Sequence, residues 1–151
     1  MSKIEQFNSE GENEQKLYVE REEFIKKNYP ADKSHYDVDE LLNSGLDGME
    51  VIEKRGKDGK IEGLISYVFN QDRNEIMYLS IGIMLTGKEF EEEGIMSELF
   101  SEVKKIAESN GCEYIVAIAD TEEDEKFLLN NNFSEEEDNV TGRKHFRMDL
   151  F

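Results

Sequence analysis

The chain has 151 residues and a formal net charge of −18. That length suits one domain with a sizeable core rather than two. The charge excludes unaided binding to DNA, RNA or an anionic membrane, since those contacts need Lys and Arg; it leaves solubility, attraction of a basic substrate or partner, or imitation of a nucleic acid.

Charged residues make up 36% of the chain, yet clear apolar runs survive between them, so a folded domain is expected. Cys112 is the lone cysteine, which permits no intrachain disulfide and fits a reducing compartment. Met1 to Phe7 has no apolar core of signal-peptide length, and no segment approaches a membrane span. A cytoplasmic location is therefore expected.

In chain order, Ile4 to Phe7 reads as a short first strand. Ser9-Glu10-Gly11-Glu12 reads as a capping box. The helix after it sets Leu17, Tyr18, Phe24 and Ile25 on one stripe and ends near Tyr29-Pro30. Asp32 to Asp37 is a polar connection. Val38 to Leu42 predicts one or two helical turns, stopped near Gly45.

Met49 to Arg55 predicts a strand. Lys57-Asp58-Gly59-Lys60 is a hairpin turn, because Asp-Gly suits a tight primed turn. Ile61 to Phe69 returns as its partner, with Ile61, Ile65, Tyr67 and Phe69 contributing to the core faces. Gln71 to Asn74 turns again, and Glu75 to Leu85 completes an antiparallel meander. Alternation puts Tyr78, Ser80 and Gly82 on one face of that strand, and Leu79, Ile81 and Ile83 on the other.

Gly94 opens an amphipathic helix whose stripe is Ile95, Leu99, Phe100, Val103, Ile106 and Ala107. It stops at Asn110-Gly111. A strand feeding a helix through a glycine turn aims backbone N–H groups at one point, a natural anion site. Tyr114 to Ala119 lacks alternation, as a strand covered on both faces would. Asp120-Thr121-Glu122-Glu123 caps a short helix through Leu129. Strands around Ser134 to Asp138 and Lys144 to Leu150 close the chain. In the last, Phe146, Met148 and Leu150 face one way and His145, Arg147 and Asp149 the other.

The order β-α-α-β-β-β-α-β-α-β-β contains one right-handed crossover, whose two strands are parallel. His35 and His145 have no metal-ligand neighbours at useful spacing, Cys112 has no His beside it, and Glu135 to Asp138 lacks calcium-loop spacing. No metal site is expected.

With these elements in place, the chain resembles the GNAT superfamily of acyl-CoA-dependent N-acyltransferases. Phe90-Glu91-Glu92-Glu93-Gly94-Ile95-Met96-Ser97-Glu98-Leu99-Phe100 looks like that family's pyrophosphate loop and following helix. Phe127-Leu128-Leu129-Asn130-Asn131-Asn132-Phe133 is similar to its aromatic-Tyr-x-x-x-Gly-Phe segment. Gly94 matches the loop pattern. Glu91 stands where the family has Arg or Gln, and Met96 where it has Gly or Ala. Asn132 replaces the glycine of the second segment, and Leu128 the tyrosine that often protonates the leaving thiolate.

The resemblance implies a single GNAT-like domain over residues 1–151. Its α/β (α+β) fold would have a mixed, mostly antiparallel sheet of six to seven strands, a central parallel pair and helices on both faces. It implies acetyl-CoA as co-substrate, held along Ile83, Met84, Leu85, Glu91, Gly94, Ile95, Met96 and Ser97, and an amine as acceptor. The family's acetyl carbonyl lies beside the third meander strand, which makes Tyr78 and Ser80 candidate catalytic groups. Glu75, at the strand mouth, is a candidate distant base. The acidic surplus suits a basic acceptor: a polyamine, an aminoglycoside or a lysine-bearing protein. A second reading stays open, in which a catalytically decayed scaffold docks a basic or nucleic-acid-binding protein.

Overall fold

The computed structural model describes residues 3–29, 38–91, 94–136 and 144–150. His35 and the connection around it lie outside the described residues, as do Pro30, Glu92, Glu93 and Asp138.

Two helices come first, α1 (Lys3–Asn28) and α2 (Val38–Gly45). The meander follows as β1 (Glu50–Arg55), β2 (Ile61–Gln71) and β3 (Met77–Thr86). A 3-10 turn at Lys88–Phe90 leads to α3 (Ile95–Ser109). Then come β4 (Tyr114–Ala119), α4 (Glu122–Asn130), β5 (Ser134–Glu136) and β6 (Lys144–Asp149). The strands form one six-stranded sheet in the order β1-β2-β3-β4-β6-β5. Only β3 and β4 pair in parallel, across the α3 crossover.

The expected first strand is not formed: Ile4 to Phe7 belongs to α1, which begins at Lys3. Ile4 and Phe7 are three apart, a spacing that shares one face in a helix but falls on opposite faces in a strand. The Lys, Glu and Gln around them favour the helix. The capping box falls with the strand, because Ser9 lies inside α1, and Gly11 sits in the helix interior at a cost of about 1 kcal/mol. Tyr18 is not a core residue either. It is exposed, and its hydroxyl donates to Asp47 Oδ1 at 2.7 Å.

Two hydrophobic clusters cover the two faces of the sheet. Phe24, Ile25 and Tyr29 of the α1 end and Leu41 and Leu42 of α2 pack on Leu64, Ile83 and Leu85. Ile95, Leu99, Phe100 and Val103 of α3 and Leu128 of α4 pack on Ile65, Leu79, Ile81, Ile115, Ala117, Phe146 and Met148. Ile83 therefore faces away from Leu79 and Ile81, against the simple alternation. The cause is a bulge. Ile65 pairs with Met84 and Tyr67 with Ile81, so two steps along β2 span three along β3. The extra residue at Gly82–Ile83 inverts the faces. β4 likewise differs from its expected uniform burial: Ile115, Ala117 and Ala119 are buried, whereas Val116 and Ile118 are half-buried.

Candidate active site

The bulge sets up the site. Below it, β3 and β4 pair at Tyr78–Tyr114, Leu79–Ile115 and Ser80–Val116, and the pairing ends there. A bulge bends its strand and increases its twist. Past Ser80 the two parallel strands carry no further rungs, and a cleft of about 880 Å³ opens beside the upper half of β3. One wall is Ile83 to Thr86. The other comes from Asp120 at the end of β4, and from Thr121, Glu122, Glu123, Asp124 and Phe127 of α4. Asn28, Tyr29 and Leu41 bring the α1 end and α2 to it, and Lys88, Glu91 and Met96 bring the approach to α3.

Gly94 caps α3 with φ +72° and ψ 18°, a left-handed conformation that glycine adopts without strain, and it offers no side-chain cap. The first α3 amides, on Ile95, Met96 and Ser97, have no intrahelical acceptor by the geometry of any helix start. They form a built-in anion-binding feature at the α3 start, which Met96 brings to the cleft. The segment before Gly94 is anchored from two sides. Buried Asn28 accepts from the Lys88 N–H at 3.1 Å and donates to the Phe24 carbonyl at 2.9 Å, while Gly87 N–H donates to the Glu62 carbonyl at 2.8 Å.

The side chains oppose that anion preference. Glu91, Asp120, Glu122, Glu123 and Asp124 line the cleft against Lys88. Asp124, half-buried among these acids, carries a raised pKa. Burial, then the negative charge of Asp120, pushes its carboxyl up to about 7. Its Oδ2 accepts from the Asp120 N–H at 3.3 Å, and its own N–H donates to the capping Thr121 Oγ1 at 3.1 Å. Near neutral pH this carboxyl is partly neutral, so the cleft carries less charge than its composition indicates.

The predicted contact residues separate into groups. Ile83, Met84, Leu85, Glu91 and Met96 line the cleft. Gly94 and Ser97 sit exposed at the α3 start. The Ile95 side chain is buried in the core, leaving only its backbone for a ligand. Leu128 is fully buried in the α3–α4 cluster and is not a lining residue. Asn132 takes φ +69°, the left-handed conformation that the glycine it replaces would supply.

The polar candidates Tyr78 and Ser80 on β3, and Glu75 before it, are not among the lining residues. Tyr78 stacks on Tyr114 with centroids 4.8 Å apart and planes 6° from parallel, and the Arg147 guanidinium lies 3.8 Å from the Tyr114 centroid. The Tyr114 hydroxyl donates to Asp72 Oδ2 at 2.8 Å. Burial and that carboxylate push the Tyr114 phenol up to about 12. Ser80 occupies the last rung before the strands part. Glu75 is exposed in the turn before β3, with φ +64°, at the opposite end of the strand from the cleft.

Sequence reasoning missed Asn28, Lys88, Asp120 and Asp124. A usable signal existed for the two aspartates. Ligands of parallel strands bind outside their carboxyl ends, and Asp120 follows the last residue of β4 directly. Among the described residues no cluster of three metal-ligating side chains occurs, and no helix is long and apolar enough to cross a membrane.

Comparison with known proteins gives a consistent picture of this architecture. No family model and no curated protein sequence matches the chain. Solved structures do. A GNAT-family acetyltransferase from Staphylococcus aureus superposes with a TM-score of 0.69 at 17% identity, covering 90% of this chain and 94% of that one. The GNAT-family N-acetyltransferase YhbS from Escherichia coli, solved in complex with CoA, gives 0.69 at 10% identity, covering 89% and 76%. An acetyltransferase from Bacillus cereus gives 0.54 at 17% identity, covering 99% and 94%. The chain has the fold of the GNAT superfamily of acyl-CoA N-acyltransferases.

Proposed function

We propose that the protein is an acyl-CoA-dependent N-acetyltransferase that acylates an amine on a basic small molecule or protein. The observation that carries this reading is the parting of β3 and β4 after the Ser80–Val116 rung, with the cleft running to the start of α3. An extended thioester ligand needs a free strand edge along its arm and backbone donors for its phosphates. Ile83 to Leu85 offer the edge, and the amides of Ile95 to Ser97 offer the donors. The donor set therefore fits acyl-CoA through the backbone, while Glu91 and Met96 narrow the fit.

In this reading the neutral amine nitrogen attacks the thioester carbonyl, the resulting tetrahedral intermediate expels the thiolate, and the proton that the nitrogen loses passes through water to that thiolate. Ser80, at the point of parting, is the side chain we assign to the carbonyl or to a water bound there. Tyr78 supports the rungs beneath it through its stack on Tyr114. Glu75 lies beyond the other end of β3 and takes no part. With Leu128 in the core, the thiolate takes its proton from water. The acids of the cleft suit a cationic acceptor.

The rival reading, a decayed scaffold that docks a basic partner, would be favoured by Met96 and Leu128 filling the slot. Leu128 packs in the core and Met96 forms only part of a wall, so the rival gains no support. Isothermal titration of the folded protein with acetyl-CoA tests the proposal. Heat of binding at sub-millimolar cofactor is expected, followed by amine-dependent release of free CoA thiol. Absence of binding would sink it.

A further inference from the structure

Fully buried Ser66 sits at the bulge and joins two elements. Its hydroxyl accepts from the Ile83 N–H at 2.8 Å and donates to the Gly45 carbonyl at the end of α2. An inverted strand residue loses its place in the β2–β3 ladder, so its amide needs another acceptor. Ser66 supplies that acceptor from the neighbouring strand. The surrounding space admits little else. A Cβ on Gly82 would lie 2.7 Å from both Ser66 Oγ and Met49 Sδ, and a Cβ on Gly45 would lie 2.6 Å from Ile83 Cγ1. The last turn of α2 is thus seated directly on the bulge.

We infer that Ser66 is a positioning residue for the cleft: through the Ile83 amide and the Gly45 carbonyl it holds the β3 bulge open and ties it to α2. Without it, Ile83 has no acceptor in the bulged form. β3 then gains by sliding back toward regular pairing, which would return Ile83 to the opposite face and draw the upper strand toward β4. The purpose of the latch rests on the acyltransferase reading, whereas its existence does not.

Two measurements separate these. Amide exchange at Ile83 in the free protein reads the latch. Ser66→Ala is expected to exchange about tenfold faster there, the loss of one buried hydrogen bond. Unchanged exchange in Ser66→Ala would overturn the inference. Acetyl-CoA affinity reads the purpose: Ser66→Ala is expected to bind about tenfold more weakly. Equal affinity in wild type and Ser66→Ala would overturn the positioning role. If wild type binds no acetyl-CoA while Ile83 exchange still responds, the latch stands and the acyltransferase reading falls. Should Ser66→Ala not fold, Gly82→Ala perturbs the same contact from the other strand and is expected to raise Ile83 exchange.

Discussion

Ser80 and Val116 form the last rung between two parallel strands, and the bulge at Gly82–Ile83 follows within two residues. The rung and the bulge together define where the sheet stops being continuous and where a ligand gains access to a strand edge. Ser80→Ala is expected to lower kcat about tenfold, with the acyl-CoA KM near wild type, if its hydroxyl serves the carbonyl. Steady-state thiol release checks this; an unchanged kcat would remove Ser80 from the mechanism.

Tyr78 is expected to behave as a structural residue. Its ring stacks on Tyr114, so Tyr78→Phe keeps the contact and leaves kcat within about twofold of wild type. Tyr78→Ala loses the stack and costs about 1–3 kcal/mol in urea denaturation. A large loss of kcat in the folded Phe variant would instead make the hydroxyl catalytic.

Met96 narrows the cleft at the start of α3. Shortening it in Met96→Ala is expected to tighten acetyl-CoA binding by up to about tenfold, while Met96→Trp abolishes it. Titration calorimetry on both variants decides; weaker binding in Met96→Ala would mean that the methionine packs against the ligand rather than obstructing it.

On the proposed reading the phosphates of acetyl-CoA would meet both Lys88 and Glu91, exposed on the loop before α3. Unit charges a few Å from a phosphate in water contribute about 1 kcal/mol each. Lys88→Ala is expected to weaken acetyl-CoA about fivefold and Glu91→Gln to tighten it by a similar factor, both without change in Tm. Raising the salt to about 0.5 M should shrink both effects. Insensitivity to salt would place the phosphates elsewhere.

Asp124 makes stability depend on pH in a specific direction. Its carboxyl titrates at about 7 when folded and near the usual 3.8 when unfolded. Between those values the folded state holds the extra proton, so stability falls as pH rises from about 4 to about 7 and is level above. Asp124→Asn, which keeps an oxygen for the Asp120 N–H, removes this dependence. The variant is expected to gain at least about 1 kcal/mol over wild type at pH 8 and almost nothing at pH 4. Urea denaturation at the two pH values measures the difference, and equal differences at both would refute it. Acetyl-CoA should also bind more tightly at pH 6 than at pH 8, because a neutral Asp124 repels phosphate less.

The sequence by itself determined the meander, the crossover helix, the central strand and the closing strands, because each carries its own local period and its own stop. Gly94 was legible as a helix start for the same reason. The Ile4–Phe7 strand was a misreading: two apolar residues three apart share a face in a helix and not in a strand, and α1 runs through both. The bulge was hidden for a different reason. Leu79, Ile81, Ile83 and Leu85 are all buried, since helices cover both faces, so the apolar alternation runs unbroken through the point where the face changes. Only the pairing of β2 with β3, latched by Ser66, fixed that point. From it came the cleft and the seating of Asp120 and Asp124 along one wall, while the β3–β4 register below it stacked Tyr78 on Tyr114. These depend on distances between residues far apart in the chain, which no local pattern encodes.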